Sequence, residues 1–343
     1  MKRAKAEMRL AEALDAWLRS CEASGAAKKT IVAYSKIAAD FYNFIMESGL
    51  FYGDPGFTTI QQYRTTLLDR GFAERSIHHY LTVLRAFFAW ASAPELGDAR
   101  YYEQNPVSKL LMPRIRKLES RPYDLLLSDA QIMQLWRNNP VKSTHPELWA
   151  RNYAIVILLL TTELRNSELR DLSLDDLDFE NAVLRVEHGK GDKFRTVDFP
   201  EIAQLAVRQY LESGVRPENA PDSAPLFGTF AKKARGAGTA CAGDWHAGSL
   251  EWMSALVERH VYAVTGVQKI RTHDLRHVGA RVDLNSGMPV EELQSKLGHS
   301  SITTTQIYSG KVMPRMSRAS AKQVCAERDL QAQRLLAQLE AAV

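Results

Sequence analysis

Apolar positions recur at helical spacing through the first quarter of the chain. Leu10, Leu14, Trp17 and Leu18 share one helical face, and the run stops near Gly25. Ile31, Tyr34, Ile37, Ala38, Phe41, Phe44 and Ile45 form a second stripe that ends before Gly49. A third helix is predicted from about Thr58 to Asp69, with Gly71 beyond its end. A fourth runs from Glu74 to Ala91, with Ile77, Tyr80, Leu81, Leu84, Phe87 and Phe88 on its face. Four short amphipathic helices imply a small bundle over residues 1–99. From Arg100 to Pro122 the pattern fails, and Pro106, Pro113 and Pro122 mark a linker over residues 100–122. Ser128 then reads as the N-cap of a helix through Trp136. The continuous apolar stretch Ala150–Leu160 reads as a buried helix. A short helix over Glu163–Leu169 sets Arg165 and Glu168 on one face. Val183–Glu187 alternates like a strand, Gly189-Lys190-Gly191-Asp192 turns, and Phe194–Phe199 returns, predicting a β-hairpin with Lys190 at its tip. A helix follows from Glu201 to about Leu211. Residues 214–248 read as loop, rich in Gly and Ala from residue 231, before a helix over Leu250–Val264. Three further helices are expected within Thr272–Ser309. The tail from Met316 to Ala341 is helical in pattern, and its Val324, Leu330, Leu335, Leu336 and Leu339 suit packing on this chain or on a neighbour. The expected fold is mainly α with a small β-hairpin (α+β): a helical bundle, a basic linker, a second domain over residues 123–312 and a helical tail over residues 313–343.

A length of 343 residues agrees with two domains, and 45% hydrophobic with 24% charged residues is an ordinary globular balance. Cys21, Cys241 and Cys325 lie far apart with no CxxC pair, which excludes a disulfide framework and points to a reducing cytoplasm. The charged start has no apolar core and is no signal peptide, and the longest apolar run, Ala154–Leu160, is too short to span a bilayer. Charge is unevenly spread. Residues 1–117 hold 17 Lys/Arg against 12 Asp/Glu, whereas residues 118–343 hold 27 against 28. The basic excess suits a domain lying on a polyanion, although a solvated basic surface would look the same. Lys28, Lys29, Arg64, Arg75 and Arg85 stand at helix starts or off the apolar stripes and are candidate phosphate ligands. Lys109, Arg114, Arg116 and Lys117 in the linker would track a DNA backbone if both flanking domains touched DNA.

The chemistry concentrates in Thr272–Ser309, which holds His273, Arg276, His277, His299 and Tyr308 without a carboxylate cluster or a cysteine. Cations, imidazoles and a phenol suit an anionic phosphorus centre attacked by a tyrosine oxygen. Such a cleavage needs a nucleophile, donors for the non-bridging oxygens and an acid for the leaving alkoxide. His273 and Arg276 at i, i+3 point at one phosphate. His299 lies in the turn Gly298-His299-Ser300, and Tyr308 follows a short Thr-rich stretch. His273 and His277 at i, i+4 hint at zinc, but no Glu follows His273 and no third ligand is evident, so no metal site is expected.

The segments TTELRNSELRDL, HGKGDKFRTVDFP, HDLRH and LGHSSITTTQIY, in that order, closely resemble the catalytic domain of the tyrosine recombinases, the phage integrase and Xer recombinase family. The resemblance covers about residues 125–310, and the N-terminal helices are similar in kind to that family's core-binding domain. It implies that Arg165 and Arg276 clamp the scissile phosphate with help from His299. Lys190 would protonate the 5′-hydroxyl, His273 would assist proton transfer at Tyr308, and Tyr308 would form a 3′-phosphotyrosyl bond. Glu168 and His277 would stand behind these groups. The covalent bond retains the phosphodiester energy, so neither ATP nor metal is implied. The resemblance further implies duplex DNA with paired half-sites, a dimer on each site, a tetrameric synapse that passes through a Holliday junction, an accessory directionality factor and a place in the bacterial cytoplasm or nucleoid. A type IB topoisomerase would cleave in the same way without synapsis, and a decayed site would leave only a DNA-binding protein. Two departures stand out. Glu163 occupies a position where the family commonly has Gly, which sets a carboxylate near the catalytic turn unless its side chain faces outward. Lys193 is a second lysine on the hairpin.

Overall fold

The computed structural model describes residues 2–48, 55–113, 127–137, 145–186, 194–230, 245–298 and 316–342. The chain divides into two compact units, Met1–Leu118 and Glu119–Val343.

The first unit contains α1 (Lys2–Ala23), α2 (Lys28–Ser48), α3 (Phe57–Asp69) and α4 (Glu74–Ala91). Their apolar stripes meet in an aromatic core. Phe41 stands edge-on to Tyr63 at 5.1 Å between ring centres and to Phe88 at 6.0 Å, and Trp17 stacks on Tyr34 at 5.2 Å. The expectation of a linker over residues 100–122 needs correction for its first part. Tyr102, Val107 and Leu111 are buried in this core, and Tyr102 packs on Phe88 at 5.3 Å. Without helical periodicity, three spaced apolar anchors are enough to hold an irregular length of chain on the bundle.

The second unit contains α5 (Asp129–Trp136), α6 (Pro146–Thr161), α7 (Asn166–Asp171), α8 (Glu201–Glu212), α9 (Leu250–Thr265), α10 (Thr272–Ser286), α11 (Val290–Leu297) and α12 (Arg318–Ala342). Ser128 caps α5 through its side chain, as expected. The second half of helix α6 is apolar all round because it runs through the middle of the core, with Ile155 to Leu159 fully buried. Strands β1 (Leu177–Asp178), β2 (Val183–Val186) and β3 (Arg195–Asp198) form an antiparallel sheet in that order. Leu184 pairs with Val197 in the expected hairpin, and the short β1 is an addition to it. The stretch 214–248, expected as loop, also contains β4 (Gly228–Phe230), paired antiparallel with β5 (Trp245–Ala247). Three-residue strands are too short to leave an alternating pattern. Helix α12 lies on its own chain: Ala321, Val324, Ala332 and Leu335 are buried in the core of this unit, and the Arg137 Nε donates to Glu327 at 2.8 Å.

Candidate active site

The site begins at the C-terminal end of α6. Glu163 adopts a left-handed backbone, φ 53°, and this ends the helix. Sequence alone predicts one short helix over Glu163–Leu169. Instead Arg165 is extended and caps α7, which starts only at Asn166. For a residue with a side chain, the left-handed conformation costs about 1–2 kcal/mol. The Glu163 carboxyl does not turn outward. It is fully buried, and its Oε1 accepts from the Lys296 Nζ at 3.2 Å, while the same ammonium donates to Asp283 on α10. The Oε2 of Glu163 has no hydrogen-bond partner among the described residues. Burial pushes the Glu163 carboxyl up to about 8, against the opposing pull of Lys296. Charge balance agrees, since two carboxyls face one ammonium and one proton makes the trio neutral. Gly279 lets α10 lie close against the end of α6: a Cβ there would lie 2.3 Å from the Leu160 carbonyl oxygen and 3.1 Å from the Glu163 Cγ.

Glu168 sits under Arg165 with opposite electrostatics. Its Oε2 accepts from the Arg165 backbone N–H at 2.7 Å, which closes the start of α7, and its Oε1 accepts from the Arg165 Nη1 at 2.7 Å. Arg195 on β3 adds a two-pronged ion pair, with both N–H···O distances at 2.8 Å. Burial alone would raise the Glu168 carboxyl. The hydrogen bonds from Arg195 and Arg165 outweigh it and hold the group at about 2. Sequence alone does not single out Arg195. A cation returning on a strand that pairs with a buried sheet is the available signal, but nothing local links it to Glu168.

Three arginines then converge on the C-terminal turn of α11. Arg195 Nε donates to the Lys296 carbonyl at 3.2 Å, Arg276 Nη2 to the Leu297 carbonyl at 2.6 Å, and Arg165 Nη2 to the Gly298 carbonyl at 2.9 Å. Arg276 Nη1 also donates to the Glu163 carbonyl. The last carbonyls of a helix lack partners within it and form the negative end of its dipole, so guanidiniums are favoured there. Arg276 is only 1% exposed, whereas the Arg165 side chain keeps 23% of its surface open. His273 lies one turn before Arg276 on α10 and is exposed. Partial desolvation of its ring, then Arg276 and Arg165, lower its pKa from the ordinary histidine value and favour a neutral imidazole. The His277 ring stands edge-on to it at 4.4 Å.

Of the residues expected at the site, Arg165, Glu168, His273, Arg276 and His277 are brought together. Lys190, His299 and Tyr308 lie outside the described residues, as do Arg114, Arg116 and Lys117. In the first unit, Lys28 and Lys29 open α2, Arg75 lies in the first turn of α4, and Arg85 and Lys109 follow, all exposed. Arg64 departs from the expectation of an open cation. It is half-buried, with an Nε that has no partner among the described residues. Among the described residues, no helix is long and apolar enough to cross a membrane.

A buried carboxylate beneath one arginine, a second arginine on an HxxR helix and a hairpin closing from the side define a recognisable architecture. The model of the phage integrase family matches residues 130–313, and the chain belongs to that family as a site-specific tyrosine recombinase, an enzyme that cleaves and rejoins DNA. Its relatives include the tyrosine recombinase XerC of Corynebacterium glutamicum, 30% identical over 252 residues, or 73% of this chain and 72% of that one. XerC of Mycobacterium sp. (strain KMS) is 32% identical over 72% of this chain and 75% of its own, and XerC of Chlorobaculum tepidum 30% identical over 86% and 88%. Among solved structures, XerH bound to its palindromic difH substrate shares the fold with a TM-score of 0.64 at 18% identity, covering 86% of this chain and 80% of that one. The Tn1549 transposon integrase in complex with a circular intermediate DNA aligns with a TM-score of 0.62 at 19% identity over 92% and 98%.

Proposed function

We propose that the chain recombines paired half-sites in duplex DNA, with Tyr308 as the nucleophile that forms a 3′-phosphotyrosyl bond. Arg165 and Arg276 bind the non-bridging oxygens of the scissile phosphate, and His299 adds a further donor. Neutral His273 accepts the Tyr308 proton, and Lys190 on the hairpin delivers one to the 5′-oxygen. A 5′-hydroxyl from a second duplex then reverses the step and yields a Holliday junction. Two chains occupy each site, four hold the synapse, and no metal or nucleotide enters the chemistry. An accessory factor would set direction, in a bacterial cytoplasm. The observation that carries this reading is the convergence of Arg165 and Arg276 on Leu297 and Gly298, the residues directly before His299 in the chain. The concentration of positive groups there suits a dianionic transition state. XerH, a structural neighbour, is described bound to its DNA substrate in a post-cleavage complex, which supports duplex DNA as the partner.

The test is Tyr308→Phe on a nicked duplex carrying a sequence that the wild-type chain retains from a randomised pool. Covalent protein–DNA adducts should disappear while mobility-shift binding is kept. Adducts that persist in the variant would remove Tyr308 as the nucleophile. The DNA flanking the coding sequence is where two inverted half-sites, about one helical turn apart, should be sought.

A further inference from the structure

Glu163, Lys296 and Asp283 form a buried charged cluster that the cleavage chemistry does not use. The Lys296 side chain is 10% exposed, Glu163 0% and Asp283 14%. Each comes from a different segment: Glu163 from the turn between α6 and α7, Asp283 from α10 and Lys296 from the last turn of α11. The same three segments are joined a second time through the backbone. Arg276 lies on α10, two turns before Asp283, and donates both to the Glu163 carbonyl and to the Leu297 carbonyl. The carbonyl of Lys296 itself accepts from Arg195. The Lys296 ammonium therefore ties, by side chain, the pieces that the arginines tie by backbone.

We propose that Lys296 is a positioning residue of the strand-cleavage site: anchored between Glu163 and Asp283, it fixes the α11 turn that Arg165, Arg195 and Arg276 grip and that leads into His299. The inference rests on the recombinase reading above, in which Arg165 and Arg276 meet the phosphate. Three features of the geometry support it. Glu163 keeps a side chain at a left-handed position where glycine would be unstrained, and that side chain reaches Lys296. Gly279 lets α10, which carries Asp283, lie close against the Leu160 carbonyl and beside the Glu163 stem. Asp283 accepts from the same ammonium as Glu163, so the lysine has two carboxyl partners on two different segments. A turn displaced by about 1 Å would shift the arginine forks away from the phosphate, and misplacement on that scale costs on the order of 10²-fold in rate.

The test uses the full chain and the nicked duplex described above. It measures single-turnover adduct formation at saturating protein, mobility-shift affinity and the melting temperature. Lys296→Met should slow adduct formation by about 10²-fold with affinity close to wild type and a lowered melting temperature, because Asp283 loses its cation, and Lys296→Arg should recover most of the rate and of the melting temperature. Wild-type cleavage in Lys296→Met, or a parallel fall in affinity and melting temperature that arginine does not repair, would overturn the proposal. If Lys296→Met does not fold, Asp283→Asn decides: a slowed rate at unchanged affinity upholds the tether, and an unchanged rate sinks it. Failure of the recombinase reading looks different, because the wild-type chain itself would then form no adducts on the duplex it binds.

Discussion

Glu163 and Glu168 lie five positions apart, both nearly excluded from water, and their ionisation is driven in opposite directions. Glu168 accepts from two guanidiniums and a backbone N–H, so its charge is solvated by the protein itself. Glu163 shares one ammonium with Asp283 and leaves an oxygen without a partner among the described residues. The consequences for stability have opposite sign. The folded chain holds a proton on Glu163 that the unfolded chain releases near the ordinary carboxylate value of 4.5, so stability drains as pH climbs from there through about 8. Glu168 contributes stability above 4.5 that is lost as pH falls toward about 2. Calorimetric scans should therefore show wild-type melting temperature dropping between pH 6 and pH 9 more than that of Glu163→Gln, which carries no titrating proton. Parallel curves for the two proteins would mean that Glu163 is already ionised in the fold. Arg165, His273 and Arg276 are readable as a set because TTELR and HDLRH carry them at fixed local spacing. Arg195 and Lys296 are not, because each meets its partners across distant parts of the chain.

At the scale of elements, the C-terminal turn of α11 is the hub of the second unit's site, and α12 packs against α5, α8 and α10. The apolar stripe of α12 is legible in sequence, but the stripe alone leaves open whether it serves this chain or a neighbour. In the fold, Val324 and Leu335 are fully buried beside the core of their own unit, and Glu327 pairs with Arg137 at the end of α5. Removing the chain after residue 316 exposes that core surface, at roughly 25 cal/mol for each Å² of apolar area. The truncated protein should melt several degrees lower in a thermal scan, since each kcal/mol of destabilisation shifts a unit of this size by about 2–4 °C. An unchanged melting temperature would show that α12 is dispensable to its own unit. Strands β4 and β5 are hidden in the sequence for the opposite reason to α12. Their pairing, Phe230 opposite Trp245, joins ends of a Gly- and Ala-rich stretch whose composition reads as loop.

Across the whole molecule, positive charge gathers in the first unit while the reaction chemistry gathers in the second. A recombinase built this way owes part of its affinity to phosphate neutralisation, which is sensitive to salt in proportion to the number of phosphates neutralised. Lys28→Ala with Lys29→Ala should flatten the plot of log affinity against log salt by about one for each phosphate that these lysines neutralise, and lower affinity at moderate salt. Filter binding on the selected duplex measures both. An unaltered slope would remove these two lysines from the DNA surface. Arg70, by contrast, is already neutralised by Asp40, with N–H···O distances of 2.8 and 3.1 Å, so it is a weaker ligand for phosphate.

From sequence came the helices, the hairpin, the two-domain plan and the family motifs. Each is written in short-range periodicity or local spacing, where the backbone's own geometry sets which residues share a face. Tertiary structure decided what those motifs stand on. It turned Glu163 inward at a strained position, and it closed Glu168 beneath Arg195. It also drew three arginines onto three successive carbonyls of one helix end. Those choices depend on where α6, α10, α11 and β3 come to rest against one another. Burial strengthens charged interactions between residues far apart in the chain, and no local pattern encodes the distance between them.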